Sequence, residues 1–225
     1  MMERYKLIQK LQIFQNIASK TLEQLYQRGR INIVEKGTVL IHEREQSSYL
    51  YFQLSGKSIV YNLTASGKRK ILFVFGEGAL LNGNVFNTRG SSMYCETIEK
   101  SKLFVISIND FTKLMMNDFQ LTKNLVEAQE HKMWRLSHQL KNTTSGISME
   151  QKLLSKLKKL ARDFGEPTSK GVEIDMQLSI TFLADMLGAP RETTSRMCSS
   201  MCEKGLIIIE RKRITITPLG MSKKH

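Results

Sequence analysis

Short apolar runs alternate with turn signals between residues 31 and 107, and this alternation restricts the fold more than any other feature of the sequence. Each run is rich in β-branched, aromatic and aliphatic side chains: 38–41, 49–52, 58–61, 70–75 and 102–106. Several short strands at this spacing indicate an antiparallel sandwich or barrel. Helix-type spacing over residues 3–28 precedes them. Residues 1–108 are therefore predicted to form a first domain that is mostly β-structure.

Helical patterning follows from Asn109-Asp110 to about Leu140. Mostly apolar residues recur there at steps of three and four, which is the a/d spacing of packed helices. They form a stripe: Val126, Gln129, Met133, Leu136 and Leu140. Such a stripe belongs either to the core of one chain or to a seam between two chains. A polar run at 141–146 marks a boundary, so residues 109–146 are predicted to be a long helix and a hinge.

Residues 147–225 carry the signals of a small helical domain closed by a β-hairpin. Ser148 opens a segment with the spacing of a capping box. Ser179 can cap a second helix that ends at Gly188, where glycine permits a sharp turn. The β-type residues of 206–217, with a basic centre, complete the unit.

The helix predicted after Pro190 has one apolar and one polar face. The polar face presents charged and short hydroxyl side chains: Arg191, Glu192, Thr193, Ser195, Arg196 and Ser199. Arginine can donate two hydrogen bonds to guanine, glutamate can accept one from cytosine, and short hydroxyls suit phosphate. This pattern favours a helix that enters the major groove of DNA. The alternative is an ordinary helical hairpin with a solvated charged face.

The chain is strongly basic, with 34 Lys and Arg against 21 Asp and Glu and a formal net charge of +13. This balance suits a polyanionic partner such as nucleic acid. No apolar run approaches the ~20 residues that span a bilayer, so no membrane partner is expected. An odd set of 3 cysteines suits a reducing cytoplasm, which is the expected location. No catalytic motif is found, so the chain is not expected to be an enzyme.

The segment Arg191-Glu192-Thr193 with Arg196, after Leu187-Gly188, resembles the recognition helix of the bacterial cAMP receptor protein and fumarate–nitrate regulator (Crp/Fnr) superfamily. The resemblance implies a homodimer on two-fold symmetric double-stranded DNA, with RNA polymerase as a candidate partner. It implies that Arg191, Glu192 and Arg196 read bases, while Thr193 and Ser199 hold phosphate. Basic side chains in and near the hairpin are expected to contact phosphate as well: Lys204, Arg211, Lys212 and Arg213.

The β-rich region resembles the same superfamily. Leu40-Ile41-His42-Glu43, Leu50-Tyr51 and Ser55-Gly56-Lys57 are similar to the pattern of its cyclic-nucleotide-binding β-roll. The resemblance covers nearly the whole chain. It implies an α+β fold made of an N-terminal β-roll, a long dimerisation helix and a C-terminal winged helix-turn-helix.

The β-roll departs from the family pattern where cyclic nucleotides bind. The resemblance implies a Gly-Glu pair for the ribose and an Arg-Ser or Arg-Thr pair for the phosphate, whereas this chain has Asn82-Gly83 and Ser91-Ser92. Without the carboxylate and the cation, the usual mode of nucleotide binding is not expected, although Arg89 lies close enough in sequence to substitute. Tyr94 and Trp134 are candidates to line an aromatic effector pocket, and the resemblance places Leu136 and Ser137 where a cAMP-binding relative contacts the adenine. The alternative for all four is ordinary packing.

No cofactor or metal is expected, since an iron–sulfur cluster of the family type needs about four cysteines. The sequence therefore favours a homodimeric, effector-controlled transcription regulator. The alternative is a constitutive DNA-binding protein whose β-roll serves only as a dimerisation scaffold.

Overall fold

A computed structural model of the chain describes residues 2–83, 85–86, 89–144 and 146–223. Ser145 of the predicted boundary run lies outside the described residues, as do Met1 and the two C-terminal residues of the predicted domains. The chain divides into two compact units. The first consists of Met1–Asn62 and Leu72–Gln139, and the second of Leu63–Ile71 and Leu140–His225.

Short helical segments open the first unit: α1 (Met2–Gln9), a 3-10 helix (Gln12–Phe14) and α2 (Ser19–Arg28). The expected helical region over 3–28 is thus interrupted twice. Ile13 and Phe14 of the 3-10 helix are buried, as are Leu22 and Leu25 of α2. The interrupted path lets several short segments place apolar side chains on the neighbouring sheet.

Seven strands follow: β1 (Arg30–Val34), β2 (Val39–Ile41), β3 (Tyr49–Ser55), β4 (Ser58–Leu63), β5 (Arg69–Phe75), β6 (Tyr94–Thr97) and β7 (Ser101–Ser107). They form two sheets, with strand orders β1-β7-β3 and β2-β6-β4-β5. All five predicted runs are strands. The short strands β1 and β6 were not predicted from the sequence.

Strand β7 shows how one strand serves two cores. Phe104 and Ile106 are buried against the N-terminal helical segments and β3. Leu103 and Val105 are buried against the second sheet. Because successive side chains of a strand point to opposite faces, a nearly continuous apolar run is what a strand covered on both faces requires.

The prediction of a single helix from Asn109 to about Leu140 is wrong. The segment forms two helices, α3 (Ile108–Asn117) and α4 (Phe119–Thr144). Asp118 separates them, and its carboxylate accepts hydrogen bonds from the backbone N–H groups of Ala18 (2.9 Å) and Leu121 (3.2 Å). Burial by itself raises the pKa of Asp118, but hydrogen bonds from Thr21 and from the backbone outweigh that effect and lower the pKa. The break depends on a partner 100 residues away in the chain.

The second unit begins with α5 (Met149–Phe164), whose capping box at Ser148 forms as predicted. The remaining elements are β8 (Gly165–Thr168), β9 (Gly171–Ile174), α6 (Ile180–Leu187), α7 (Arg191–Glu203), β10 (Ile207–Glu210), β11 (Arg213–Ile216) and α8 (Pro218–Ser222). The four strands form one sheet in the order β10-β11-β9-β8. The hairpin of β8 and β9 was not predicted, because its short strands contain glycine and proline.

Candidate functional site

A tight turn joins α6 to α7. Gly188 has φ 71° and ψ 37°, and its N–H donates to the carbonyl of Ala184 at 2.8 Å. Glycine adopts this left-handed backbone conformation without steric cost, which explains why it stands at the end of α6. At the other end, the Ser179 hydroxyl accepts from the N–H of Phe182 at 3.1 Å and caps α6 as predicted.

The inner face of α7 fixes the position of that helix. Thr194 is fully buried, and both its N–H and its hydroxyl donate to the carbonyl of Pro190 at 3.0 Å. Cys198 and Met201 are also buried, which completes an i, i+4, i+7 stripe. Burial raises the pKa of the Cys198 thiol to about 11, so it stays protonated at neutral pH, unlike reactive cysteines.

The outer face of α7 carries the side chains predicted to contact DNA. All six are exposed: Arg191, Glu192, Thr193, Ser195, Arg196 and Ser199. None of these side chains makes a hydrogen bond or an ion pair with another described residue. The structure therefore leaves their donors and acceptors available to an external partner.

The hairpin of β10 and β11 forms a wing beside this helix pair. Glu210 pairs with Arg213 across a two-residue turn, in which Arg211 has φ 47° and Lys212 has φ 68°. Both turn residues are exposed. The carbonyl of Lys212 accepts from the N–H of Leu178 at 2.7 Å, which ties the wing to the residue just before the cap of α6. Two positive φ values suit a tight hairpin but are unfavourable for arginine and lysine.

Two of the four cations expected to contact phosphate are paired within the chain. Arg213 lies 3.2 Å from carboxylate oxygens of both Glu173 and Asp175. Lys204 lies 2.8 Å from a carboxylate oxygen of Glu150. Among the described residues, neither Arg211 nor Lys212 has an ion-pair partner. The wing tip therefore offers the more available positive charge.

The first unit contains a partly open cavity of about 390 Å³. Apolar side chains form much of its wall: Ile41, Val60, Phe73, Phe75, Leu81 and Val85. The cavity is similar in size to sites that hold small organic molecules. Six of the eight predicted effector contacts line it: Asn82, Gly83, Ser91, Ser92, Tyr94 and Leu136.

Two of these predicted contacts have structural partners. The Asn82 side chain accepts from the N–H of Tyr51 at 3.1 Å and donates to the carbonyl of Tyr49 at 2.7 Å. The Ser91 hydroxyl donates to the carbonyl of Met93 at 2.7 Å. Gly83 lets α4 approach closely, since an added Cβ would lie 2.6 Å from the amide nitrogen of Gln129.

The other two predicted contacts lie elsewhere. Trp134 is 58% exposed and has His131 and His138 on either side, with ring centroids at 6.2 and 4.1 Å. The Ser137 hydroxyl donates to the carbonyl of Met133 at 3.1 Å, one turn earlier on α4. Neither residue lines the cavity of its own chain.

Lys132 lines the cavity and was not singled out from the sequence. Its ammonium lies 5.4 Å from the centroid of the Phe75 ring. Burial lowers the pKa of Lys132 to about 8. Helical spacing could have identified it, because it lies three residues after Gln129 and four before Leu136 in the a/d stripe.

No helix among the described residues combines the length and apolar character that crossing a bilayer requires. Within the same residues, no three His, Cys, Asp or Glu side chains are grouped as a metal site would need.

Comparison with known proteins agrees with this architecture. The family model of the cyclic nucleotide-binding domain matches residues 32–118, and that of the Crp-like helix-turn-helix domain matches residues 151–220. A probable transcriptional regulator, flp, from Lacticaseibacillus casei is 30% identical over 187 residues, which cover 81% of each chain. The global nitrogen regulator of Synechococcus elongatus is 25% identical over 203 residues, or 87% of this chain and 89% of the relative.

Solved structures show the same fold. FixK2 from Bradyrhizobium japonicum superposes with a TM-score of 0.72 at 17% identity, covering 84% of this chain and 92% of that one. A β-roll, a long helix and a helix-turn-helix whose second helix is exposed define a DNA-binding regulator. The chain belongs to the Crp/Fnr superfamily of transcription regulators.

Proposed function

We propose that the chain acts as a homodimer that binds a two-fold symmetric DNA operator and is controlled by a small-molecule effector other than a cyclic nucleotide. The observation that carries the proposal is the outer face of α7, where six polar side chains are exposed and make no hydrogen bond or ion pair to the rest of the described chain. A helix held by buried Thr194 and Cys198 can enter a major groove without disturbing its own core.

Each side chain on this face has a proposed role. Arg191, Glu192 and Arg196 read base edges, because arginine matches guanine and glutamate matches cytosine. Three hydroxyls and one wing cation contact phosphate: Thr193, Ser195, Ser199 and Lys212. Phosphate contacts set the register of the protein on the duplex, whereas base contacts supply the specificity.

The exposed stripe of α4 supports the homodimer. Val126, Met133 and Leu140 are spaced by seven residues and are 49%, 62% and 66% exposed. Leu136 is exposed on the same helix. A second copy of the helix would cover these apolar side chains in a seam with a/d packing. Burying each such side chain contributes roughly 1.5–3 kcal/mol.

The lining of the cavity supports an effector of a different class from cyclic nucleotides. Gly83 stands where the family pattern has the ribose-binding glutamate, and the amide of the preceding residue, Asn82, is already bonded to the backbone of β3. Ser91 stands where the pattern has a phosphate-binding arginine, and its hydroxyl is bonded to Met93. A cavity with apolar walls remains.

Selection from a random duplex DNA library tests the DNA-binding proposal. We expect the wild-type protein to enrich a two-fold symmetric sequence whose half-sites lie about 34 Å apart. Arg191→Ala with Arg196→Ala should weaken binding to that sequence by at least about thirtyfold, because each bidentate base contact contributes about 1–3 kcal/mol. Arg162→Ala, an exposed arginine on α5, is the matched control. Enrichment of the same sequence by a folded double variant would contradict the proposal.

Sedimentation analysis tests the dimer. Val126→Glu with Leu140→Glu places charges in the seam and should yield monomers, while Glu130→Lys, off the stripe, should remain dimeric. The competing proposal is a constitutive DNA-binding protein whose β-roll is only a scaffold. It would be favoured if the operator affinity of the dimer did not change with the small-molecule fraction of the source cells.

A further inference from the structure

We propose that the cavity of the β-roll binds an anionic molecule with an apolar body, a carboxylate on an alkyl or aryl chain, and that Lys132 is its counterion. This inference rests on the proposed control by an effector and names the chemical class of that effector. The ammonium of Lys132 lies against the apolar wall of the cavity, and no carboxylate of the described residues forms an ion pair with it.

The ammonium of Lys132 has no conventional partner in the described chain. It makes no hydrogen bond and no ion pair with any of those residues, and Phe75 supplies only the face of a ring at 5.4 Å. Cys95 is a close ionisable neighbour, and burial raises the pKa of its thiol to about 12. The thiol is therefore neutral at physiological pH and does not balance the charge.

The remaining charged groups of the cavity do not remove this imbalance. Glu45 also lines the cavity, but its carboxylate accepts from the N–H of His42 at 2.9 Å and forms no ion pair with Lys132. Arg89 lines the cavity as well. Arg135 lies near Lys132 on α4, with its guanidinium 5.3 Å from the centroid of the Phe73 ring. Lys132 therefore has no ion-pair partner among the described residues, so an incoming anion would gain attraction that a neutral molecule lacks.

The apolar walls of the cavity indicate that the rest of the anion should be apolar. Phe73, Phe75 and Val60 are buried in a cluster beside the cavity. The cavity offers no carboxylate in the position that holds ribose in the family pattern, and its volume of about 390 Å³ suits a small organic body. A single carboxylate at Lys132 with an apolar chain along the phenylalanines fits both properties.

Isothermal titration calorimetry on the full-length protein tests the inference. The probes are alkanoates and phenylalkanoates of increasing length, each compared with its own primary amide, and cyclic AMP is titrated in parallel. We expect each carboxylate to bind about ten to a hundred times more tightly than its amide, as for a hydrogen bond to a charged group. Affinity should rise about fourfold per methylene until the cavity is full. Cyclic AMP should not bind.

Variants assign the effect to one residue. Lys132→Met should remove the preference for carboxylate over amide while leaving amide affinity unchanged. Lys123→Met should keep the preference, because Lys123 is an exposed lysine on the same helix, 3.8 Å from Glu127. Equal affinities of carboxylates and amides for the wild type, or a preference that survives Lys132→Met, would overturn the inference.

The outcome is separable from the proposed DNA binding. If carboxylates fail to bind while DNA selection still requires Arg191 and Arg196, the inference about the cavity is wrong and the DNA-binding proposal stands. If carboxylates bind through Lys132 but no DNA sequence is enriched, the inference about the cavity stands and the DNA-binding proposal is wrong.

Discussion

Replacing Lys132 with methionine removes a positive charge while keeping a flexible apolar chain of similar length. Burial lowers the pKa of this ammonium from 10.5 to about 8 in the folded protein. One pKa unit corresponds to about 1.4 kcal/mol, so holding the charge destabilises the folded first unit by up to about 3 kcal/mol at pH 7. We expect Lys132→Met to be more stable than the wild type by up to that amount.

The difference should depend on pH in a defined direction. Because the pKa of Lys132 is lower in the folded than in the unfolded chain, the unfolded chain binds the extra proton between about pH 8 and pH 10.5. Wild-type stability then rises with pH across this window, while methionine does not titrate. The advantage of the variant should shrink to about 1 kcal/mol at pH 9.5.

Urea unfolding followed by tryptophan fluorescence measures this effect. The chain has 1 tryptophan, Trp134, which lies two residues after Lys132 on α4, so the signal reports the first unit. With a slope of ~1–3 kcal/mol per molar urea, the midpoint should increase by about 1 M at pH 7. Protein concentration is kept constant because the proposed dimerisation would add to apparent stability. The reasoning would be refuted if Lys132→Met were no more stable than the wild type, or if its gain in stability were the same at pH 7 and pH 9.5. The control, Lys123→Met, should change the urea midpoint little.

Three further outcomes are expected. Asp118→Asn should destabilise the protein by about 1–3 kcal/mol at pH 7. Because folding lowers the pKa of Asp118 below its ordinary value of 3.8, that loss should be full above about pH 4 and shrink as the pH falls below 3.8 towards the folded pKa; a difference constant with pH in urea unfolding would contradict this. Arg211→Asn with Lys212→Gly should stabilise the wing by about 1–2 kcal/mol, because asparagine and glycine tolerate positive φ. It should reduce the slope of log affinity against log salt by about 4 for the proposed dimer, two contacts per protomer; an unchanged slope would exclude phosphate contact. Thr194→Val should cost about 1 kcal/mol through the lost bond to Pro190, and equal urea midpoints would show that this bond does not stabilise α7.

Local rules account for much of what could be predicted. The capping box at Ser148, the cap at Ser179 and the left-handed turn at Gly188 each depend on residues within a few positions, and each forms as expected. Helical spacing likewise identified the buried and exposed faces of α7. The short strands β1 and β6 were missed because they lack long apolar runs and depend on pairing with distant strands.

The residue pattern alone predicted five of the strands, the caps of α5 and α6 and the outward face of α7, because periodicity and capping act over a few neighbouring residues. The resemblance of its motifs to known regulators indicated the family. Only the tertiary structure decided which distant groups meet. Asp118 breaks a helix by binding Ala18, Asn82 is bonded to the backbone of β3, and Arg213 is paired with Asp175. Lys132 became significant for the same reason: its charge is ordinary on an isolated helix and unbalanced only where the sheet places Phe75 and a neutral Cys95 beside it.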